Sequence, residues 1–254
     1  MQGLLAQMFG TTNGVEILIM MLTRVFIVLT ILPVHEFAHA WMAKKLGDDT
    51  AQRMGRLTLN PFMHLSGIGA ALLILFGFGF AKPVPVNPYN FTNQKKRRGG
   101  MALTALAGPL SNLIMAVLAV ILFCVSCCIS PSAYFYVIRD DMYSLFYPDP
   151  DVWSYVGYFL MQFSVINISL AVFNLLPIPP LDGSRIFGLL FPEKWMMAIE
   201  KYSFVIIMAL FMIMNRVSGV GNALGAVTTK IFILLNNGIS WVFELFGAQL
   251  IYFA

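Results

Sequence analysis

Residues 15–46 read VEILIMMLTRVFIVLTILPVHEFAHAWMAKKL, an apolar stretch whose second half contains the group His35, Glu36 and His39. A helix that crosses a bilayer needs about 20 mainly apolar residues, so the length of this stretch predicts a membrane span. Lys44 and Lys45 mark the point where the span reaches the water interface. The stretch therefore predicts a metal-binding or catalytic group inside a transmembrane helix.

The composition of the whole chain supports a membrane protein. Of its 254 residues, 59% are hydrophobic and 11% are charged, and the mean hydropathy is +0.78. These values exclude an ordinary soluble domain, which must cover its core with polar surface. The apolar blocks do not alternate as barrel strands do, so they predict helices in a lipid bilayer. The net charge of +4 arises from basic residues beside the spans, which indicates anionic lipid as a partner and no nucleic acid.

The predicted fold class is an all-α polytopic membrane protein with a re-entrant β-like segment. The run 67–80 has 14 residues and is rich in glycine, so it is too short to cross comfortably. The prolines in residues 81–88 favour an extended segment that could pair with an extended substrate by β-addition. The predicted spans are about 15–46, 101–129 and 153–176, followed by two C-terminal transmembrane helices at roughly 202–214 or beyond and 231–250.

The charges predict the orientation of the chain. One side of the membrane receives the basic residues if the short run is re-entrant, and the connection 130–152 on the other side has four aspartates and one arginine. The positive-inside rule then places the N-terminus outside the cell membrane and the basic face in the cytosol. The basic residues on that face are Lys44, Lys45, Arg53, Arg56, Lys82 and residues 95–98.

His35, Glu36 and His39 form an H-E-x-x-H pattern on the first span. Residues four apart share one face of a helix, so both imidazoles can reach one metal ion, while Glu36 can reach a metal-bound water. Catalytic zinc uses three protein ligands and one open position. The third predicted ligand is Asp182, because it is the only carboxylate in an apolar neighbourhood. This set predicts hydrolysis by a zinc-activated water with Glu36 as the general base.

The position of the motif also predicts its depth. At 1.5 Å per residue, Lys44 lies about 13 to 14 Å along the helix from His35, so the metal lies below the cytosolic surface and above the midplane.

A chain with metal ligands but no general base would suit a zinc-binding scaffold or transporter, which is the alternative function. A third hypothesis for the function is a membrane hydrolase that cleaves a bond other than the peptide bond.

Two motifs resemble those of the site-2 protease family of intramembrane zinc metalloproteases. His35 to His39 is similar to the first signature, and residues 174–183, NLLPIPPLDG, are similar to the second, whose aspartate is the third zinc ligand. Residues 55–88 resemble the re-entrant region of the family, and Ala107 to Asn112 resemble its middle core helix. The resemblance covers roughly residues 15–185 and divides the chain into a protease core, 1–185, and C-terminal transmembrane helices, 186–254.

The resemblance implies a three-helix catalytic core, one zinc ion per chain and a transmembrane protein as substrate. It also implies that Asn174 binds the substrate backbone, with a helix-to-helix hydrogen bond as the alternative. Asn112 is open between a structural role and substrate binding. His64 suits interface hydrogen bonding better than a second metal site, and Arg24 suits snorkelling or pairing within the bundle.

Overall fold

The computed structural model describes residues 14–67, 82–130, 152–216 and 218–247, and within these residues its regular structure is helical, with no strand. Short 3-10 turns occupy Pro88–Asn90, Gln94–Lys96 and Gly188–Leu190. The α helices, numbered in chain order, are α1 Gly14–Lys45, α2 Thr50–Arg53, α3 Pro61–His64, α4 Arg97–Ile129, α5 Val152–Asn174, α6 Asp182–Phe187, α7 Glu193–Glu200, α8 Ser203–Arg216 and α9 Ser218–Leu245.

Three helical segments in the described part of the chain are long and apolar enough to cross a membrane. They are Gln94–Ile129, Tyr155–Asn174 and Gly221–Leu245, with mean hydropathies of 2.7, 1.7 and 1.2. The first two correspond to the predicted spans 101–129 and 153–176. Helix α1 has 32 residues, and its bounds differ by one residue at each end from the predicted first span. The chain is thus a largely helical, multi-pass membrane protein.

Of the two C-terminal helices, α8 lies within two residues of its predicted bounds, whereas α9 departs from them. Helix α8 has 14 residues, about 21 Å of helix, which is short against a hydrocarbon core of about 30 Å. Helix α9 begins at Ser218, well before the predicted start of the last span near residue 231. Its first turns are rich in glycine, alanine and threonine, which lower the hydropathy but suit close helix packing.

The predicted re-entrant region is described only in part. Residues 68–81, which include most of the short glycine-rich run, lie outside the described residues, so the β-like segment stays a prediction. Residues 82–87 have no regular structure, and two short 3-10 turns then lead into α4. We call residues 82–92 the strap.

The chain divides into two compact units, of which the first comprises Met1–Ser111 and Leu175–Tyr202. Its buried cluster consists of Ala40, Ala51 and Val84, with Leu57 and Val86 packed against it. Because alanine is small, α1 and α2 both come close to the strap. This unit contains the H-E-x-x-H motif and Asp182.

The second unit comprises Asn112–Asn174 and Ser203–Ala254. Its core is formed by Ala116, Val120 and Cys124 of α4, Ile168 of α5 and Phe232 of α9. The Ser164 hydroxyl donates to the Ala116 carbonyl at 3.3 Å, and Cys124 lies 3.7 Å from the Ser240 hydroxyl. These contacts join its helices through small and apolar side chains, as expected for helices in lipid.

Candidate metal centre

The two histidines of the motif lie side by side on α1. Their ring centroids are 4.7 Å apart and their planes meet at 86°. Both residues are 8% exposed. A spacing of four residues places them on one helical face, and burial holds each ring in one position. The pair thus presents two nitrogens to a single point inside the first unit.

Asp182 completes a triangle of three atoms with this pair. The Nε2 atoms of His35 and His39 are 3.1 Å apart, and Asp182 Oδ2 lies 3.2 Å from the first and 3.3 Å from the second. Among the residues that the structure describes, this is the one group of three side chains placed to hold a metal ion. Tertiary structure has therefore brought together residues that are almost 150 positions apart in the sequence.

The protonation of His39 follows from its other nitrogen. His39 Nδ1 lies 2.7 Å from the main-chain carbonyl oxygen of Thr104. A carbonyl oxygen only accepts, so Nδ1 carries the hydrogen, and in a neutral ring Nε2 then presents its lone pair. Metal-binding histidines are commonly oriented in this way, by a hydrogen bond that the N–H of the second ring nitrogen donates to a backbone carbonyl.

The triangle fits a zinc ion. Lone-pair atoms facing one another at these distances repel, and one shared proton relieves only one of the three contacts. Asp182 Oδ2 is buried without a hydrogen-bond partner in the described part of the chain. Tetrahedral zinc with ligands at about 2.0 to 2.1 Å requires ligand atoms roughly 3.3 to 3.4 Å apart, and the three observed separations are close to this value.

Gly108 of α4 permits the close approach of α4 to the histidines. A Cβ atom at this position would lie 2.5 Å from His39 Cε1 and 2.6 Å from His35 Cε1. No side chain other than hydrogen fits there without moving the rings. Glycine at position 108 is thus required by the contact with the histidine pair.

The loop before α6 places Asp182. Asp182 is the first residue of α6, after Leu181, whose carbonyl accepts from the Ser184 amide at 3.0 Å and the Ser184 hydroxyl at 2.7 Å. A Cβ atom at Gly183 would collide with the carbonyl oxygens of Leu175 and Leu176. Asp182 and Gly183 are thus explained by one candidate ligand and one close backbone approach.

Glu36 points toward the strap. It is 8% exposed, and its Oε2 atom accepts a hydrogen bond from the Val84 amide at 3.1 Å. A buried carboxylate needs such a donor, because burial without a partner is costly. The main chain of the strap therefore holds the side chain that the sequence predicts as the base.

Asp48 anchors the strap to the end of α1. It is fully buried, and its two oxygens accept from the Asn87 amide at 2.7 Å, the Asn90 side chain at 2.8 Å, and the amide and hydroxyl of Thr50 at 3.1 and 2.5 Å. Burial by itself raises the pKa of the Asp48 carboxyl, but the hydrogen bonds from Thr50, Asn90 and Asn87 outweigh it and lower the pKa below its usual range. The ionised form is thus built into the fold.

The remaining predicted residues are not members of the group of three, or have side chains outside what is described. Buried His64 has Nε2 2.7 Å from the Thr58 carbonyl oxygen and is not a member of the metal group. Both amide atoms of Asn112, 1% exposed, have no hydrogen-bond partner in the described residues. Asn174 Nδ2 donates to the Leu170 carbonyl at 3.0 Å within its own helix. The side chain of Arg24 lies outside the described residues.

Four residues that contact the histidines, Glu36 or the strap were not predicted from the sequence. Thr104 and Val84 act through main-chain atoms, so their residue types carry no signal for these contacts. Asp48 and Gly108 carried a partial signal, because an aspartate follows Gly47 at the end of a span and Gly108 interrupts an apolar helix. Only the packing of the helices and the strap shows what these residues contact.

Comparison with known proteins agrees with this geometry. A model of peptidase family M50 matches residues 23–214. "Putative zinc metalloprotease YwhC" of Bacillus subtilis strain 168 is 38% identical over 192 residues, which cover 73% of this chain and 80% of that protein. "Putative zinc metalloprotease Rip2" of Mycolicibacterium smegmatis is 28% identical over 188 residues, covering 69% of this chain and 61% of that protein. For Rip2 of Mycobacterium tuberculosis strain H37Rv the identity is 29%, and the match covers 61% of this chain and 52% of that protein. No solved structure matches the chain.

Proposed function

The chain belongs to peptidase family M50 and is a zinc metalloprotease, and from this premise we propose that it is an intramembrane endopeptidase that cleaves transmembrane segments of other proteins. The family match also confirms the resemblance that the two sequence motifs indicate. The observation that carries the proposal is the buried triangle of His35, His39 and Asp182, located on a helix predicted to span the membrane.

We propose that these three residues hold one zinc ion per chain and that Glu36 is the general base. Zinc in such a site supplies a Lewis acid that lowers the pKa of water and polarises a carbonyl. Thr104 orients the His39 ring through its carbonyl, and the Val84 amide orients Glu36. The Glu36 carboxylate would take a proton from the attacking water and pass it to the leaving amine.

The depth of the site determines the substrate class. His35 lies about 13 to 14 Å and His39 about 7 to 8 Å along α1 from Lys44, so a peptide bond reaches them only from within or beside the bilayer. An intact helix hides its carbonyls, so the substrate segment must first unwind locally. We therefore propose a transmembrane protein with a helix-destabilising centre as substrate.

The amides of Asn112 and Asn174 are the proposed binders of the substrate main chain. Both hydrogen-bonding atoms of Asn112 lack partners in the described residues, although the residue is buried. The Nδ2 atom of Asn174 is engaged by Leu170, which leaves its oxygen as an acceptor for a substrate amide. Such unpaired amides in an apolar bundle favour a polar ligand.

The proposed orientation has the N-terminus outside and the site near the cytosolic side. A single cysteine in place of exposed Gln52, in a variant that lacks the three native cysteines, tests it. A membrane-impermeant maleimide should label this cysteine in inverted vesicles and not in intact cells. Labelling in intact cells and not in inverted vesicles would indicate the opposite orientation.

The decisive experiment for the function is Glu36→Gln in the purified, zinc-loaded protein in lipid vesicles. The probe is a synthetic single-span peptide with an Asn-Pro centre between a fluorophore and a quencher. We expect cleavage to fall by at least about 1,000-fold while the zinc content is unchanged, because the amide cannot accept the proton.

Asp49→Asn is the matched control, since Asp49 is an exposed acidic residue outside the site, and its cleavage rate should equal that of the wild type. Wild-type activity in Glu36→Gln would refute the assigned base. Zinc binding without cleavage of the probe or of any membrane protein in the wild type would instead support a zinc-binding scaffold or transporter.

A further inference from the structure

The strap has one main-chain donor in its segment Pro83-Val84-Pro85. Proline has no N–H group, so Val84 supplies the one amide hydrogen of these three residues. That amide donates to Glu36 Oε2 at 3.1 Å, and the contact is buried. Each proline also biases the residue before it toward extended geometry, so the Val84 amide is held in a narrow range of directions.

The strap is tied to the rest of the first unit on both sides of Val84. On the N-terminal side, the Lys82 amide donates to the His64 carbonyl at 2.8 Å, and the buried Arg56 guanidinium donates to the Lys82 carbonyl. Its C-terminal side is held by the bonds from Asn87 and Asn90 to Asp48. The one described contact of the strap with a candidate catalytic side chain therefore lies between two anchors.

The end of the strap is fixed to the end of α1, the helix that contains Glu36. The Thr92 amide donates to the Leu46 carbonyl at 2.8 Å. Gly47 adopts a left-handed conformation with φ of 105°, and a Cβ atom there would lie 2.9 Å from the Thr92 nitrogen. The Val84 amide and the Glu36 carboxylate are therefore held by two segments, the strap and α1, whose ends are hydrogen-bonded to each other.

We propose that the strap is a positioning element for the base: Val84 is the positioning residue and Asp48 is its remote anchor. The inference rests on the proposed role of Glu36. A glutamate side chain has three rotatable bonds, so without a partner it samples many orientations. The hydrogen bond from the fixed Val84 amide selects one of them, in which the second carboxylate oxygen is free to accept a proton from the attacking water. Misplacement of a catalytic group by about 1 Å costs roughly 100-fold in rate, so loss of the Val84 hydrogen bond should lower kcat.

The first experiment compares proline substitutions at two positions of the strap. Val84→Pro removes the donor, whereas Val86→Pro adds the same ring at a position whose amide makes no hydrogen bond in the described residues. With the quenched single-span peptide, we expect Val84→Pro to lower kcat about 10- to 100-fold with an unchanged KM and unchanged zinc content. Val86→Pro should keep kcat within about threefold of the wild-type value, and a loss of substrate pairing at the Val86 amide would raise KM instead. Val84→Ala keeps the donor and should recover most of the loss.

The second experiment observes the bond without activity. In the peptide fragment 82–85, Lys82 is the amino terminus and Pro83 and Pro85 have no amide, so this fragment reports the exchange of Val84 alone. We expect Glu36→Ala to accelerate hydrogen exchange at Val84 at least about 10-fold, while the Thr92 amide, bonded to Leu46, stays unchanged. Asp48→Ala should accelerate exchange at both Val84 and Asn87.

The outcomes separate this inference from the proposed function. The positioning role would be overturned if Val84 exchanges equally fast in the wild type and in Glu36→Ala, or if Val84→Pro and Val86→Pro lose kcat equally. The role of Glu36 as the base would still stand in that case, provided that Glu36→Gln is inactive. An active Glu36→Gln variant would remove the base, whatever the exchange at Val84.

Discussion

Asp48 and Asp182 are two carboxylates in the same unit whose oxygens meet opposite surroundings. Asp48 accepts four hydrogen bonds from Thr50, Asn87 and Asn90. Asp182 Oδ2 faces two histidine nitrogens and has no hydrogen-bond partner in the described residues. A buried carboxylate with a full set of donors is stable by itself, whereas one that faces lone pairs requires a cation. The comparison separates a structural aspartate from a candidate metal ligand without reference to residue type.

Removal of each carboxylate should give the largest contrast. Asp182→Asn keeps the shape of the side chain but removes the negative charge. We expect peptide cleavage to vanish and zinc affinity to fall by more than the 10- to 100-fold that is typical when a hydrogen-bond partner of a metal ligand is lost. Asp48→Asn should retain one zinc per chain. Zinc content after dialysis against a chelator measures both variants. Equal retention of zinc by the two would contradict the assignment of Asp182.

Crowding the histidines should weaken the site without removing a ligand. Gly108→Ala places a methyl group 2.5 to 2.6 Å from both imidazole rings, so the rings must move, and we expect a loss of about 10- to 100-fold in kcat/KM together with weaker zinc binding. Gly99→Ala is the matched control, since nothing lies within 4 Å of its added Cβ. If the two variants cleave the peptide equally, the close approach at Gly108 has no role in the site.

Acid should act on the Asp48 side of the comparison. The pKa of Asp48 is lower in the folded protein than in the unfolded chain, where it is about 3.9, so its contribution to stability is present above that pH and is lost as the pH falls through the folded value. We expect the difference in Tm between wild type and Asp48→Asn to shrink below about pH 4. Thermal unfolding in detergent from pH 2 to 6 measures it, and a difference that grows toward low pH would contradict this prediction.

The neighbouring Asp49 should give the smallest effect. It lies next to Asp48 in sequence, but its side chain is half exposed and pairs with exposed Arg53 one turn away. Water screens such a pair, so we expect Asp49→Ala to leave Tm, zinc content and cleavage rate unchanged. A Tm loss as large as that of Asp48→Asn would show that burial does not separate the two residues.

The first part of the fold was predictable because hydrophobic length is a local property of the sequence. Helix α1 matches its predicted bounds within one residue, and the spans on α4 and α5 match within a few residues. The start of α9 was predicted too late, since its small and polar residues lower the hydropathy although they pack well. The sequence alone could not place the strap, because its prolines specify an extended segment and not its contacts.

By itself, the sequence determined the helical membrane class and the histidine pair on one helical face, and it predicted Asp182 as the carboxylate that accompanies them. These follow from helical periodicity and from the cost of charge in apolar segments. Only the tertiary structure decided that Thr104 directs the His39 ring, that Gly108 admits it, and that Val84 rather than a side chain holds Glu36. The physical reason is that these contacts use main-chain atoms or the absence of a side chain, and such groups are placed by the packing of distant segments.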